Sequence, residues 1–455
     1  MVQISIIGAG SVVFSGSFIR DLCLTKSLWG STVVLMDINK ERLSTVCNLA
    51  SRYRDEVKAD LKIEATLNRR EALEGADFVI STVKVGGYDP MESERAIAER
   101  YGYYRGIGDR VSDYYGGFAA YHQLKFFLDL ARDIEDLCPH AWLIETANPV
   151  FEGTTLIARE TKVKVIGVCH GHFGYKILAM ALGLNPDEVN AQMAGFNHCI
   201  WLTHFFHKGR NIYPLIDEWI EKKAPEYWRS DVYLKGAPAL TEQLSPAAVD
   251  MYRLYGLFPI GDTMRSVSPW WYHTSLSVKR KWFGPMGGFD SEIGWSTYLN
   301  SLRENLKRML ELAKDKSIPA SKILPPVMSG EQHIPLIDAI VNDKETKLQL
   351  NIPNRGAISG IPDDVAVEVP AIVSGRGVQA VHVGSLPKRL MLHVMIPRML
   401  RMEQILQAFL EGDRKSLLLM LMEDHRTKDF ENAKALIEEL LAQPWNAGAA
   451  ERYKW

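Results

Sequence analysis

The opening residues, MVQISIIGAG, constrain the fold more than any other segment of the chain. A short β-branched run, Gln3 to Ile7, ends in a Gly-Ala-Gly turn, and a helix-like stretch follows from about Ser17 to Leu28. The run from Thr32 to Asp37 then predicts a second buried strand that ends in an acid. Strand, glycine turn, helix and strand in this order predict a βαβ unit of a parallel sheet.

The same alternation continues to about residue 170 and then changes. We predict a helix at 40–58 and, beyond the βαβ unit, strands at 76–82, 141–146 and 163–168. Past 170 the pattern predicts a strand at 192–196 and helices near 291–315, 389–411 and 428–442. The chain is therefore predicted to be an α/β protein. A Rossmann-type parallel sheet over 1–170 would precede a larger mixed α+β domain over 171–455, which would bind substrate and metal and mediate oligomerisation.

The composition limits which kinds of partner the chain is expected to bind. A formal net charge of −2 gives no reason to expect nucleic acid or an acidic membrane surface. No apolar run reaches the roughly 18 residues that a membrane helix needs, and the N-terminus is not patterned as a signal peptide. The five cysteines are odd in number and show no disulfide spacing, which indicates a reducing compartment. We expect a cytoplasmic protein with a small-molecule substrate.

The glycine turn predicts a dinucleotide site. Gly8 and Gly10 allow the backbone to approach a pyrophosphate, and the helix N-terminus near Ser11 offers free N–H groups. Asp37 can accept hydrogen bonds from the ribose hydroxyls, which favours NAD over NADP. A third glycine would fall at Val13, so a plain strand-to-helix turn is the alternative interpretation.

Further candidates follow later strands. Asn148, in an Asn-Pro turn, can reach a nicotinamide ribose and substrate hydroxyls, although this dipeptide also starts ordinary turns. Cys169 and His198 can jointly hold a divalent metal with substrate oxygens completing the shell. Lone cysteines and histidines are more often core residues, and no structural zinc pattern is present. Asp262, beside such a metal, can act as a general base, or it can merely cap a turn.

Seven segments together are more specific than any one motif. They are GAGSVVFSG at 8–16, VGGYDP at 85–90, GIGDRVSDYYGGF at 106–118, ETANP at 145–149, VIGVCHGHFG at 165–174, AGFNH at 194–198 and IGDTMRS at 260–266. In this combination the chain resembles glycoside hydrolase family four over nearly its whole length. That NAD-dependent family departs from the usual two-carboxylate glycosidase scheme.

The resemblance implies both cofactors and a mechanism. It implies NAD and a divalent metal, usually manganese(II), the metal being bound by Cys169 and His198. The implied reaction oxidises carbon 3 of the sugar, eliminates the leaving group, adds water and reduces the ketone again, so that NAD is not consumed. Asp262 corresponds to the family's proposed base, with Tyr255 as an alternative because some members use a tyrosine. His170 corresponds to a candidate acid or substrate contact, and Asn148 to the asparagine that contacts cofactor and substrate.

The four residues CHGH, which begin at Cys169, resemble the subgroup associated with α-glucuronidases. This implies a terminal α-linked glucuronic acid as substrate, with Asp109, His172, Asn148 and Arg265 as substrate contacts. Arg265, Arg105 or Arg110 can pair with a uronate carboxylate, since arginine offers a bidentate fork. α-Galacturonidase and α-glucosidase activity remain alternatives, as do a malate- or lactate-type dehydrogenase and a non-catalytic NAD sensor. Glu145 is a departure, since an amide is commoner at this place, and family analogy suggests a homo-oligomer.

Overall fold

We analysed a computed structural model of the chain, which describes residues 1–104, 112–113, 116–117 and 120–455. Thirteen strands form one sheet in the order β11-β10-β9-β14-β13-β8-β7-β4-β1-β2-β3, with β12 beside β10 and β15 beside β14. The strands are β1 Gln3–Ile7, β2 Thr32–Met36, β3 Lys62–Thr66, β4 Phe78–Ser81, β5 Ser112–Asp113, β6 Gly116–Gly117, β7 Trp142–Glu145, β8 Lys164–Gly167, β9 Val189–Phe196, β10 Cys199–His207, β11 Arg210–Asn211, β12 Phe258–Ile260, β13 Thr346–Pro353, β14 Ala366–Ser374 and β15 Gly377–Ala380. β5 and β6 form a separate two-stranded pair.

Helices cover the sheet and complete the second half of the chain. The α-helices are α1 Val12–Leu24, α2 Lys40–Val57, α3 Arg69–Leu73, α4 Asp89–Arg100, α5 Ala120–Leu137, α6 Val150–Glu160, α7 Gly174–Ala181, α8 Tyr213–Lys222, α9 Ala224–Tyr227, α10 Asp231–Lys235, α11 Pro238–Thr241, α12 Pro246–Tyr255, α13 Thr263–Ser266, α14 Leu276–Phe283, α15 Glu292–Lys314, α16 Ala320–Ile323, α17 His333–Val341, α18 Lys388–Leu390, α19 Ile396–Glu411, α20 Arg414–Met422, α21 Phe430–Leu441 and α22 Ala447–Arg452. Short 3₁₀ turns lie at Lys26–Leu28, Gly171–Phe173, Pro186–Glu188, Glu242–Leu244, Trp270–Tyr272 and Pro444–Asn446, and a π turn lies at Met391–Met395.

The first half of the sheet is parallel and doubly wound. Strands β3-β2-β1-β4-β7-β8 pair in parallel. β1, β2 and β4 are almost wholly buried, as expected for strands covered by helices on both faces. This order reverses direction beside β1, so the carboxyl ends of β1 and β4 flank the crevice where such sheets bind ligands. The predicted α/β class with a Rossmann-type sheet is confirmed.

The sheet does not stop where the sequence pattern changes. β8 pairs antiparallel with β13 through Gly167 and Asn351, and β14 pairs antiparallel with β9 through Glu368 and Gly195. The mixed second half thus extends the same hydrogen-bonded sheet beyond residue 170. The division into 1–170 and 171–455 stays a prediction.

Two predicted helices differ in their bounds. The helix expected at 17–28 begins at Val12, directly after the glycine turn, and ends at Leu24 before a 3₁₀ turn. The helix expected at 389–411 is interrupted by the π turn at Met391–Met395, just before Pro397, whose ring removes a backbone donor. By contrast α2 matches its prediction, since Asn39 caps its start and Lys58 ends it in a left-handed conformation. Within the described residues no helix is long and apolar enough to cross a membrane.

Candidate active site

The glycine turn and the acid of β2 lie against each other. The N–H of Gly10 donates to Asp37 Oδ2 at 2.8 Å, and Asn39 donates to Oδ1 at 2.7 Å. A Cβ on Gly10 would lie 2.7 Å from Asp37 Oδ2, and Gly8 has a φ of +91°. Both positions therefore require glycine, and the turn brings the backbone to the start of α1, where Ser11 is the N-terminal cap position.

Asn148 lies at the same edge of the sheet, after β7. Its peptide bond to Pro149 is cis, and its side-chain Oδ1 is buried with no hydrogen-bond partner among the described residues. A buried acceptor without a donor costs folding free energy unless a ligand supplies one. The predicted place of Asn148 beside cofactor and substrate is compatible with this geometry.

Cys169 and His198 come together from two different segments. Cys169 follows β8, and His198 lies in the two-residue turn between β9 and β10 with a φ of +56°. The Cys169 Sγ lies 3.4 Å from His198 Nε2. Gly195 lets this turn close, because a Cβ there would lie 2.0 Å from the Cys199 carbonyl oxygen.

The chemistry of this pair fits a divalent metal. Burial lowers the pKa of His198 to about 4, so the imidazole is neutral at neutral pH, which is the form that binds a metal. Burial, followed by Glu368 and Asp262, raises the pKa of the Cys169 thiol well above its usual range, so a thiolate here requires a cation. Among the described residues no group of three His, Cys, Asp or Glu side chains is arranged to hold a metal. That substrate oxygens complete the metal shell stays a prediction.

Asp262 adjoins the pair and is held from both sides. Its Oδ2 lies 3.1 Å from His198 Nε2, and its Oδ1 accepts from the guanidinium of Arg265. Arg265 also donates to Glu242, which is fully buried, and its guanidinium covers the ring of Phe289 at 4.3 Å. Arg265 therefore orients Asp262, and two carboxylates already accept from its guanidinium.

The two turns that carry Cys169 and Asp262 touch through backbone. Gly261 has a φ of +63°, and a Cβ on it would lie 2.4 Å from the Gly171 carbonyl oxygen. A Cβ on Gly174 would lie 2.8 Å from the Gly261 nitrogen and 2.2 Å from Gln243 Oε1. Gln243 also accepts from the Gly261 N–H at 2.9 Å. Close backbone contacts thus hold the turn after Cys169 against the turn that leads to Asp262.

The two histidines of the CHGH segment have different surroundings. His170 is exposed over 63% of its side chain, and its Nδ1 lies 3.6 Å from Glu331, which raises the pKa of His170. His172 is buried, with its Nδ1 3.1 Å from the Cys169 carbonyl oxygen, and burial lowers its pKa to about 4. His170 is thus the exposed histidine of this segment and His172 contacts its backbone, while the substrate contacts predicted for both stay predictions.

The structure adds residues that sequence reasoning missed. Glu368 is buried, accepts from Asn197 at 3.0 Å, and has a pKa raised to about 7 by burial. Glu331 lies between His170 and His333, and His333 lies 2.7 Å from Thr146 Oγ1. These acids come from β14 and from the loop before α17, and no motif in the sequence marks either segment. The sequence signal for Glu368 is a single acid in an otherwise apolar stretch, AVEVPAIVS at 366–374.

A cavity of about 770 Å³ opens beside Arg265. Tyr255, the alternative base, lines it and makes an edge contact with Trp201 at 5.6 Å. Five arginines and one aspartate lie in its wall: Arg265, Arg389, Arg398, Arg401, Arg426 and Asp424. The predicted candidates Asp109, Arg105 and Arg110 lie outside the described residues.

Comparison with known proteins defines the class. The family model "Family 4 glycosyl hydrolase" matches residues 3–184, and the model of that family's C-terminal domain matches residues 193–427. The chain therefore belongs to family 4 of the glycosyl hydrolases, and it is a glycosidase of that family. This agrees with the resemblance noted in the sequence and argues against the dehydrogenase and sensor hypotheses.

Particular relatives differ in the activity that their names give. The chain is 28% identical to an alpha-galacturonidase of Thermoanaerobacterium saccharolyticum, over 97% of this chain and 95% of that protein. It is 27% identical to an alpha-galactosidase of Bacillus subtilis, over 86% and 85% of the two chains. The structure of a 6-phospho-alpha-glucosidase from gut microorganisms in complex with NAD and Mn²⁺ superposes with a TM-score of 0.78. Their identity is 16%, and the match covers both chains completely.

Proposed function

We propose that the protein hydrolyses terminal α-linked uronides, with α-glucuronides as the preferred class and α-galacturonides as the nearest alternative. The observation that carries this proposal is the arginine-lined cavity beside Arg265, which suits a sugar bearing a carboxylate. The CHGH segment at the metal pair supports the same class. The two uronides differ only at carbon 4, and no described contact separates them.

The cofactor sites that we propose are those described above. The glycine turn with Gly8, Gly10, Ser11 and Asp37 would hold NAD, and Cys169 with His198 would hold a divalent metal, as manganese in the related structure. When bound, NAD supplies reversible hydride transfer at carbon 3, and the metal supplies charge stabilisation beside it. Asn148, with its buried acceptor, would bind a sugar or ribose hydroxyl between the two sites.

Asp262 is our candidate for the base that removes the proton at carbon 2. The guanidinium of Arg265 orients the carboxylate through one oxygen, and the other oxygen lies 3.1 Å from His198 Nε2, beside the metal pair. A positioned base of this kind typically contributes ~10²–10⁴-fold to a rate. His170, exposed and backed by Glu331, is our candidate for delivering a proton to the leaving glycosidic oxygen.

The test is hydrolysis of nitrophenyl α-glucuronide, α-galacturonide and α-glucoside by purified protein. Each assay is run with and without NAD, manganese(II) and a thiol reductant. We expect uronide hydrolysis that needs NAD and metal and forms no net NADH. Activity on the neutral glucoside alone would replace the uronide proposal by the α-glucosidase alternative. Net NADH accumulation would contradict the proposed mechanism.

A further inference from the structure

The cavity beside Arg265 contains two buried polar groups without partners. Arg398 and Ser266 both line it, and each is 7% exposed. Among the described residues, Arg398 Nη1 and Ser266 Oγ have no hydrogen-bond partner. Buried donors are almost always satisfied in native proteins, so a pair of orphans in one cavity wall needs a physical reason. A bound ligand that carries acceptor oxygens supplies that reason.

Arg398 is held rigidly by contacts on its other sides. Its Nη2 donates to the buried carboxylate of Glu152 at 2.6 Å. Its guanidinium lies 4.7 Å from the ring centre of Phe151, and Phe151 stacks on Phe196 at 4.4 Å. One face of the Arg398 guanidinium and its Nη2 are therefore occupied, while Nη1 has no partner among the described residues. A planar guanidinium held in this way, with both N–H groups of Nη1 available, is preorganised for an anionic oxygen.

These contacts also connect the cavity to the candidate active site. Phe151 lies in α6, which begins just after Asn148, and Phe196 lies two residues before His198. Arg265, which lines the same cavity, donates to Asp262, and Asp262 Oδ2 lies 3.1 Å from His198 Nε2. The cavity that Arg398 lines therefore adjoins the metal pair. The other candidate, Arg265, is already bound to Glu242 and Asp262.

We propose that Arg398 recognises the anionic substituent of the sugar, with Ser266 as a second donor in the same cavity. This inference rests on the proposed glycosidase function and deepens it, because it names the residue that selects substrates by their charge. The shared chemistry is an anionic oxygen on the sugar, either a uronate carboxylate or a sugar phosphate. Arg398 is placed here as a specificity-determining residue and takes no part in bond breaking.

The test uses Arg398→Lys and Ser266→Ala, both in the full chain with NAD. KM is measured on nitrophenyl α-glucuronide, α-galacturonide, α-glucoside and its 6-phosphate. Calorimetry gives the Kd of free glucuronate, glucose 6-phosphate and glucose. Arg159→Lys is the matched control, because Arg159 joins the same two helices, α6 and α19, through Glu403 at 2.7 Å and does not line the cavity. Thermal melting of each variant checks that it folds.

We expect Arg398→Lys to raise KM and Kd for the anionic sugars by roughly 10- to 100-fold, and Ser266→Ala by roughly 3- to 10-fold. Neutral sugars should change by no more than about twofold, and Arg159→Lys should leave all values near the wild type. Equal losses on neutral and anionic sugars, unchanged anionic binding in both cavity variants, or wild-type protein that binds neither anionic sugar would overturn the proposal.

The outcomes separate the two proposals. If the wild type hydrolyses uronides and both variants keep the wild-type KM, the function stands and the role of Arg398 is wrong. If uronides are not hydrolysed but glucose 6-phosphate binds in an Arg398-dependent manner, the anion site stands and the uronide is replaced by a sugar phosphate. If Arg398→Lys does not fold, Ser266→Ala decides by the same criteria.

Discussion

The glycine turn that is our candidate for NAD and the cluster around Cys169 lie at the same edge of one sheet and are built in different ways. The turn is made of main chain, glycine and one acid from the neighbouring strand, all within the first 37 residues. The cluster joins side chains from the segment after β8, the β9–β10 turn, the segment after β12 and the 3₁₀ turn at Glu242–Leu244. A site made of backbone and glycine tolerates few substitutions. In a site made of side chains, one residue can be replaced so that a single role is lost while the fold around it is kept.

The largest effect is expected from Cys169→Ser, which separates the two regions most sharply. Serine keeps the size but not the soft thiolate, so metal binding should fail and turnover should fall by roughly a thousandfold or more. NAD affinity, measured by fluorescence titration, should stay within about twofold because the glycine turn is untouched. Cys138→Ser, at a buried cysteine outside the cluster, is the control. Full activity of Cys169→Ser would refute the metal assignment.

Asp262→Asn should give the next largest effect. The amide retains the shape of the side chain but cannot accept a proton, so kcat should fall by about 10²–10⁴-fold while NAD and manganese affinities change little. Steady-state kinetics together with metal titration measure this. If kcat is retained and Tyr255→Phe loses it instead, the base is the tyrosine that lines the cavity.

Gly10→Ala tests the glycine turn without touching the cluster. The new Cβ would lie 2.7 Å from Asp37 Oδ2 and must displace that carboxylate. We expect NAD affinity to fall roughly 10- to 100-fold, with manganese binding unchanged. Gly448→Ala is the matched control, since its Cβ would meet only Tyr121 at an ordinary 3.7 Å. Equal NAD affinity in both variants would contradict the predicted cofactor site.

The smallest effect on activity is expected from Glu145→Gln, which acts on stability. Burial raises the pKa of Glu145 to about 8, while an unfolded glutamate titrates near 4.5. The folded protein therefore binds the extra proton, and stability falls as the pH rises from about 4.5 to 8. Glutamine mimics the protonated acid, so the variant should be more stable at pH 8, by roughly a few kcal/mol, and similar at pH 4.5. Melting curves across this range measure the difference, and parallel pH profiles would contradict it.

The two regions also differ in how far the sequence predicts them. Gly8, Gly10 and Asp37 are close in the chain, and strand periodicity alone places them at one turn. Cys169, His198 and Asp262 could be paired only through the family resemblance, because their contacts depend on how distant strands pair. Arg398, Glu242, Glu368 and Glu331 were missed for the same reason. Strands β13 and β14 were missed too, and they carry Asn351 and Glu368 to the edge of the parallel sheet.

The backbone contact between Gly171 and Gly261 has a consequence for engineering. Because the carbonyl of Gly171 fits where Gly261 has no side chain, these two glycines keep the turn after Cys169 against the turn that leads to Asp262. Cavity-wall positions other than Tyr255, Arg265 and Arg398 can therefore be varied in a library while the turns of Cys169 and Asp262 stay in place. Selection for new sugars should begin with those positions and leave the two glycines fixed.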